Sequence, residues 1–192
     1  VVAYLLDGET GEQLGVRSIL NPQRQYGGDV VSRCSYALEN GAEVLSGCIR
    51  RAVNELLREL AVQCGRNSEE IVRIAMVGNS CMHHLFLGIS TESLVLAPYT
   101  PKVTEALRLK ALDYGIQAHP SAELLWLPNI GCFVGSDTVG CILAADLEQR
   151  KGMTLLVDIG TNGEIVLADQ GRLTACSTAA GPAFEGAKIT CG

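Results

Sequence analysis

Residues 154–164 read TLLVDIGTNGE, an aliphatic strand that runs directly into an acidic, glycine-rich turn. Asp158 stands where the apolar strand ends, so a cleft can begin at its side chain. Gly160 and Gly163 allow a positive φ and leave no side chain between the backbone and a ligand. This combination of an acid with small residues predicts a loop that approaches a bound anion closely.

The same turn offers donors for a phosphate and a ligand for a metal. Its N–H groups can converge on an anion as a small nest, and Thr161 and Asn162 add short polar donors. An aspartate beside a polyphosphate holds Mg²⁺ directly or through water, which makes Asp158 a candidate metal ligand and catalytic residue. The alternative is a plain type I′ hairpin, because Asn-Gly between two strands is its strongest signal.

The helix predicted just upstream supplies a second acid. Residues 135–145, GSDTVGCILAA, predict a helix over 137–147 that is capped by Ser136. Its small side chains let a neighbour approach closely, as a helix that crosses between two halves of a duplicated fold requires. Its amino end would then face the cleft, where Asp137 binds a metal-held water or activates the attacking one. The alternative is that Asp137 only favours the helix dipole.

Two further segments are candidates for nucleotide binding. Gly78, Asn79 and Ser80 follow an apolar strand at its carboxyl end, where open α/β sheets bind ligands. The alternative there is an ordinary helix N-cap by Asn79 or Ser80. Gly181, followed by a proline, belongs to a loop that lies either beside the nucleotide or in a structural turn.

The rest of the pattern predicts an α/β fold with a repeated strand–turn–strand unit. Residues 1–20 and 163–178 both place an apolar strand before an acidic glycine turn, which suggests a duplicated unit whose first copy lacks its opening strand. Residues 89–120 contain three prolines and are predicted to be an insertion with a helix near 102–112. Strands are predicted at 1–7, 12–20, 71–77, 123–128, 154–160, 163–169 and 172–178, and helices after Asp29 and at 44–64, 81–87 and 137–147.

Composition excludes several classes of function. Hydrophobic residues make up 47% and charged residues 19%, as in a compact globular protein. The net charge of −6 and the absence of clustered Lys and Arg argue against nucleic acid as a partner. No apolar run approaches the roughly 18–20 residues that span a bilayer, so no membrane partner is expected.

The eight cysteines and three histidines are predicted to have structural roles. The cysteines form no C-x-x-C pair and stand mostly in apolar segments, so buried reduced thiols are favoured over metal ligands or disulfides, which points to the cytoplasm. The neighbouring His83 and His84 would point about 100° apart on a helix and so cannot face one metal. They are expected on the helix surface or in the core, and Trp126 in the core of a strand.

Several stretches together resemble a known family, the reductive activators of corrinoid proteins, and more broadly the superfamily of acetate kinase, sugar kinases, heat-shock chaperones and actin (ASKHA). The resemblance covers most of the chain, and the last two stretches are distinctive in combination. The stretches are NPQRQYGGDVVSR (21–33), VGNSCMHHLFLG (77–88), LPNIGCFVGSDTVG (127–140), VDIGTNGEI (157–165) and AAGPAFEGAKITCG (179–192).

The resemblance implies an actin-like ATPase (RNase H-like) α/β fold that is truncated at both ends. Residues 1–150 would form the first lobe, without its first strand and with the insertion 89–120. Residues 151–192 would open the second lobe as a three-stranded meander and a loop. By position, Asp158 and residues 160–163 would form the second phosphate loop, and Asp137 would lie at the cleft end of the connecting helix.

The resemblance also implies a function, a cofactor and a partner. Members of the family typically carry a ferredoxin domain and use ATP to drive an electron onto the cobalt of an inactivated corrinoid protein. The cofactors would be ATP with Mg²⁺, and an iron–sulfur cluster on a separate domain, because this chain has no ferredoxin cysteine pattern.

The first phosphate loop and the adenosine loop of the superfamily have no counterpart in this sequence, so the isolated chain is expected to bind ATP weakly and to hydrolyse nothing. Whether the domain is an enzyme by itself is left open. The alternatives are a non-catalytic scaffold or dimerisation module, including a homodimer, and a small-molecule kinase.

Overall fold

The computed structural model describes residues 1–160 and 162–179, whose eight strands form three sheets. The strands are β1 (Val2–Leu6), β2 (Gln13–Ser18), β3 (Arg73–Met76), β4 (Leu107–Lys110), β5 (Glu123–Trp126), β6 (Thr154–Ile159), β7 (Asn162–Asp169) and β8 (Arg172–Ala179). The α-helices are α1 (Val30–Asn40), α2 (Glu43–Gln63), α3 (Ser80–Leu87), α4 (Glu92–Val95) and α5 (Ser136–Ala144). The order of elements confirms the α/β class predicted from the sequence.

The long helix α2 forms the apolar centre of the molecule. Its buried residues recur at three-to-four spacing, which places Ile49, Val53 and Leu57 on one stripe. This stripe packs into a cluster with Phe86 of α3 and Trp126 of β5. Gly65 follows the helix with a φ of 66°, the left-handed conformation that glycine adopts at little cost.

The central sheet has the order β3-β5-β4, with β5 parallel to β3 and antiparallel to β4. The helix predicted near 102–112 is therefore wrong, because residues 107–110 form strand β4. Leu107 and Leu109 pack against the core while Arg108 and Lys110 are exposed, and this alternation has the period of a strand. The stretch 89–120 thus contributes a strand to the central sheet.

Helix α5 connects the central sheet with an antiparallel meander, β6-β7-β8. The meander and the hairpin β1-β2 confirm the strand pairs predicted from the sequence. Ile142 of α5 and the following Leu147 pack on Val166 and Ala168 of β7. The helix ends at Ala144, earlier than predicted, and Asp146 adopts a left-handed conformation with a φ of 48°.

The expectation of reduced thiols is wrong for one cysteine pair. Cys34 of α1 and Cys81 of α3 form a disulfide within an apolar cluster that also contains Leu45 and Leu85. The two cysteines are 47 residues apart in sequence, and the packing of α1 on α3 brings their Cα atoms to 6.8 Å. Among the described residues the other cysteines, at positions 48, 64, 132, 141 and 176, are free thiols.

His83, His84 and Trp126 all lie in the core, as expected. The two imidazole rings meet edge to face, and His83 contacts the indole of Trp126 at 4.9 Å between centroids. Burial lowers the pKa of His83 to about 4, with a smaller effect from His84, so the ring is neutral at pH 7. Within the described part of the chain, no helix is long and apolar enough to cross a membrane.

Candidate functional site

A cleft of about 280 Å³ lies where the meander, α5 and the start of α3 meet. Five of the residues singled out from the sequence line it: Asn79, Asp137, Asp158, Gly160 and Asn162. They come from three separate segments of the chain, so the cleft exists only in the folded protein. Thr161 and Gly181, which were predicted beside them, lie outside the described residues.

The remaining predicted residues lie next to the cleft. Gly163 is buried within β7, where it pairs with Ile159 of β6. The amide of Gly78 is bonded to Ser136. A larger hollow of about 580 Å³ near Arg50 and Tyr114 contains none of the predicted site residues.

The amino end of α5 is held against the loop that follows β3. The Ser136 hydroxyl donates to the Gly78 carbonyl at 2.8 Å and accepts from the Gly78 N–H at 3.0 Å. The indole Nε1 of Trp126 donates to the same oxygen at 2.9 Å. The prediction that Ser136 caps α5 is therefore wrong: Gly135 precedes the helix, and the Ser136 side chain ties α5 to the central sheet.

Gly135 makes this contact sterically feasible. A Cβ built at position 135 would overlap the Cα of Asn79 and lie 2.6 Å from the carbonyl oxygen of Gly78. Only glycine lets the two backbone segments approach this closely. The first turn of α5, with Asp137 in it, is therefore fixed beside the carboxyl end of β3.

Asp137 lies half-buried in the first turn of α5. Burial raises the pKa of its carboxyl group, the hydrogen bond from the Thr138 N–H partly offsets this, and the charge of Asp158 raises it again. A carboxylate with a raised pKa is a stronger base than an exposed aspartate. Asp137 thus combines a place in the lining of the cleft with a raised pKa.

Asp158 faces a second acid across the meander. It pairs directly with Glu164 in the β6–β7 ladder, and opposed like charges destabilise a sheet. Burial raises the pKa of Glu164, the hydrogen bond from Ser177 lowers it, and the charges of Asp137 and Asp158 raise it further. Three carboxylates that repel one another in one cleft form an environment that a cation would stabilise.

The turn between β6 and β7 is not the type I′ hairpin that was the alternative interpretation of the sequence. Asn162 and Gly163 lie inside β7, so the Asn-Gly pair does not form a type I′ hairpin turn. Neither Gly160 nor Gly163 adopts a positive φ. The Gly160 N–H donates to the Asn162 carbonyl at 3.2 Å, and a Cβ at position 160 would lie 3.2 Å from that oxygen. A side chain at position 160 would therefore crowd the Asn162 carbonyl within the turn.

Asn79 acts as the N-cap of α3, which was the alternative interpretation of this residue. Its Oδ1 accepts from the Met82 N–H at 2.9 Å. Because the same residue also lines the cleft, the cap fixes where its side chain lies. Capping and a contact with a ligand are compatible here.

The sequence interpretation missed three polar or charged residues of the cleft: Asp29, Arg33 and Glu164. Asp29 caps α1, because its Oδ1 accepts from the Ser32 N–H at 2.7 Å and from the Ser32 hydroxyl at 2.9 Å. These hydrogen bonds lower the pKa of Asp29. The sequence is sufficient to predict that Asp29 caps a helix. That Asp29 lines the cleft depends on how α1 packs against α3, which the sequence pattern does not contain.

The residues of the cleft fit Mg²⁺ bound together with a phosphate. Within residues 1–160 and 162–179, no three His, Cys, Asp or Glu side chains are grouped closely enough to bind a metal by themselves. Mg²⁺ usually keeps several waters and uses one or two carboxylates together with phosphate oxygens. Asp158 and Asp137 are two carboxylates that line the same cleft, which is the number that this mode of binding uses.

Comparisons with known proteins agree with the fold. Family models match residues 1–150 as the RACo middle region and residues 152–192 as the C-terminal domain of RACo, the ASKHA domain. A solved structure of a reductive activator for corrinoid, iron-sulfur protein superposes with a TM-score of 0.92 at 37% identity, and the match covers 100% of this chain and 31% of that one. The fold is therefore that of the actin-like ASKHA ATPases.

Two relatives agree with the match to the family models. The chain is 40% identical over 196 residues to the corrinoid activation enzyme RamQ of Eubacterium limosum, covering 100% of this chain and 32% of RamQ. It is 26% identical over 198 residues to the Co(II) methylated amine-specific corrinoid protein reductase of Methanosarcina barkeri, covering 98% of this chain and 36% of the reductase. The chain thus spans about a third of the length of these relatives, and it belongs to the RACo family, the reductive activators of corrinoid proteins.

Proposed function

We propose that the chain forms the nucleotide-binding core of an ATPase that drives reductive activation of a corrinoid protein. The observation that carries this proposal is that Asp137, Asp158, Gly160, Asn162 and Asn79 line one cleft. The names of the relatives support the corrinoid partner. Because the chain spans about a third of their length, the activity is proposed for the full-length protein.

Each cleft residue has a proposed role. Asp158 holds Mg²⁺ directly or through water, and Asp137 accepts a proton from the attacking water or holds a metal-bound one. Gly160, Thr161, Asn162 and Gly163 form the phosphate loop. Gly78, Asn79 and Gly181 complete the nucleotide contacts.

The raised pKa of Asp137 supports its role as a base, because a carboxylate with a raised pKa has a higher affinity for a proton than an exposed aspartate has. Bound Mg²⁺ would neutralise charge on the phosphates.

We propose that the iron–sulfur cluster lies on a separate domain of the full-length protein, because this sequence has no ferredoxin cysteine pattern. A homodimer, the division into lobes at residue 150 and a cytoplasmic location remain proposals. The cytoplasmic location rested on reduced thiols, and the Cys34–Cys81 disulfide removes part of that argument.

ATP hydrolysis by the full-length protein tests the proposed function. We expect turnover that is stimulated by a corrinoid protein and lost in Asp158→Asn and Asp137→Asn, while Asp113→Asn, away from the cleft, retains it. Mg-ATP binding without turnover or redox coupling would instead support the scaffold, and a phosphorylated metabolite would support the kinase.

A further inference from the structure

The charge of the cleft is unbalanced for a ligand that carries phosphates. Four acids line it, namely Asp29, Asp137, Asp158 and Glu164, and Arg33 is the only basic residue among the described residues of its lining. A polyphosphate brought against four carboxylates is repelled unless cations compensate. Mg²⁺ supplies part of that compensation, and Arg33 is the cation that the protein itself contributes.

The backbone fixes the position of the Arg33 guanidinium. Its Nε donates to the Gly27 carbonyl at 3.1 Å, and its Nη2 contacts the Gly28 carbonyl at 3.5 Å. A Cβ at position 27 would lie 2.7 Å from the Arg33 N and 2.8 Å from the Ser32 Cβ, so residue 27 can approach the start of α1 this closely only as glycine. The side chain is buried, and its orientation is largely set before any ligand binds.

Arg33 lines the cleft from the first half of α1, whereas the acids Asp158 and Glu164 line it from β6 and β7. A phosphate bound in this cleft would therefore lie between residues of the meander and the element of α1 that carries the guanidinium. A planar guanidinium matches phosphate oxygens better than an ammonium group does.

We infer that Arg33 contacts the terminal phosphate of the nucleotide and stabilises the charge that develops on it during hydrolysis. This inference rests on the proposed ATPase function. Arginines that act in this way are supplied in cis by some nucleotide hydrolases. The competing explanation is purely structural: Arg33 would only tie the segment at 27–28 to α1.

The two explanations predict different results for Arg33→Gln in the full-length protein. If Arg33 acts on the phosphate, kcat falls by about 10²–10³-fold, the effect of removing one donor aimed at developing charge. The affinity for ADP with aluminium fluoride, a mimic of the transferred phosphoryl group, falls in parallel, while the affinity for ADP alone stays close to wild type.

Two further variants make the test decisive. Arg33→Lys keeps the buried positive charge and so serves as the test variant if Arg33→Gln folds poorly. It is expected to retain part of kcat, because the lysine ammonium supplies the charge but not the planar set of donors of the guanidinium. Arg24→Gln, on the exposed surface of the preceding turn, is the matched control and is expected to behave as wild type.

Wild-type kcat in Arg33→Gln, or an equal loss of affinity for ADP and for ADP with aluminium fluoride, would overturn the assignment and leave the ATPase proposal intact. Failure of the wild-type protein itself to hydrolyse ATP would overturn the proposed function, and the role of Arg33 with it.

Discussion

Ser136 satisfies three polar groups at the point where the central sheet meets α5. Its hydroxyl oxygen is shared by the N–H and the carbonyl of Gly78 and by the indole N–H of Trp126. All of these atoms are buried, so no solvent can replace the hydroxyl. Because Asp137 is the next residue, the same three hydrogen bonds fix the proposed base.

Ser136→Ala is expected to lower the free energy of unfolding by about 2–6 kcal/mol, because two buried N–H donors each lose their acceptor at about 1–3 kcal/mol. Urea unfolding of the full-length protein measures this. Ser35→Ala, on the exposed face of α1, is the control and is expected to change stability little. Equal stability of the two variants would show that the Ser136 network contributes nothing.

Asp137→Asn is expected to raise the midpoint of thermal unfolding at pH 7 while abolishing turnover. The pKa of Asp137 is raised in the folded protein, so the folded state binds more protons than the unfolded state between the ordinary aspartate pKa and the raised value. Its ionisation therefore destabilises the fold progressively as pH rises through that window. The stabilisation by Asn should be complete above the window and shrink as pH falls through it.

Asp29→Asn is expected to change stability with pH in the opposite sense, because hydrogen bonds lower the pKa of Asp29 in the fold. Midpoints of thermal unfolding measured over a range of pH distinguish the Asp29 variant from the Asp137 variant. A stabilisation by Asp137→Asn that did not vary with pH would contradict the electrostatic account.

At the scale of single residues, the sequence predicts which side chains suit a phosphate better than it predicts which distant residues lie next to each other. Asp137, Asp158 and Asn162 are recognisable because acids and small polar residues beside glycine suit a phosphate. Arg33 was not recognisable, since only the packing of α1 places it at the cleft. The disulfide between Cys34 and Cys81 was missed for the same reason, because nothing local links positions so far apart.

Helix α5 is the element that joins the two sheets. Its first turn is bonded to the loop after β3, and its body packs on β7 through Ile142. A Cβ at Gly140 would make an ordinary van der Waals contact with the side chain of Val77 at 3.5 Å, so this face of α5 lies close to the residue that follows β3. The sequence prediction of a smooth connecting helix is consistent with this packing.

Gly135→Ala is expected to displace the amino end of α5 and to cost about 1–3 kcal/mol or more, the usual range for overpacking a filled site. The added methyl group would overlap backbone atoms of Asn79 and Gly78, which cannot rotate away. Nucleotide affinity should fall together with stability. Gly8→Ala is the matched control, because a Cβ there meets nothing within 4 Å; similar losses in both variants would rule out the steric explanation.

Among the described strands, β4 is the one that the sequence did not predict. Strand β4 has only four residues, LRLK, and its alternation is too brief to outweigh a helical pattern in the surrounding residues. Its identity depends on pairing with β5, a contact that sequence periodicity does not contain. The long helix α2 and the paired strands β6 and β7 repeat their patterns over more residues and were predicted correctly.

At the scale of the whole molecule, the described chain exposes an apolar strand face. Leu155, Val157 and Ile159 of β6 are at least half exposed, and β6 is an edge strand of its sheet. Exposed apolar edges pair readily with other chains. The isolated 192-residue chain is therefore expected to self-associate at micromolar concentration, as measured by sedimentation velocity.

Lysines at Leu155 and Val157 should restore a monomer, because charge on an edge strand opposes pairing. Leu112→Lys, at an exposed residue outside any sheet, is the control and should leave self-association unchanged. A monomeric wild-type chain would contradict the prediction. The isolated chain is also expected to bind Mg-ATP weakly, and a micromolar affinity would contradict that expectation.

The most direct test of the account is a calorimetric titration of the full-length protein with ATP, with and without Mg²⁺, for wild type and Asp158→Asn. We predict that Mg²⁺ strengthens ATP binding to the wild-type protein, and that Asp158→Asn loses this dependence together with about tenfold or more of the affinity, or 1.4 kcal/mol. An Asp158→Asn variant that binds Mg-ATP as the wild type does, with the same dependence on Mg²⁺, would contradict the assignment of this cleft.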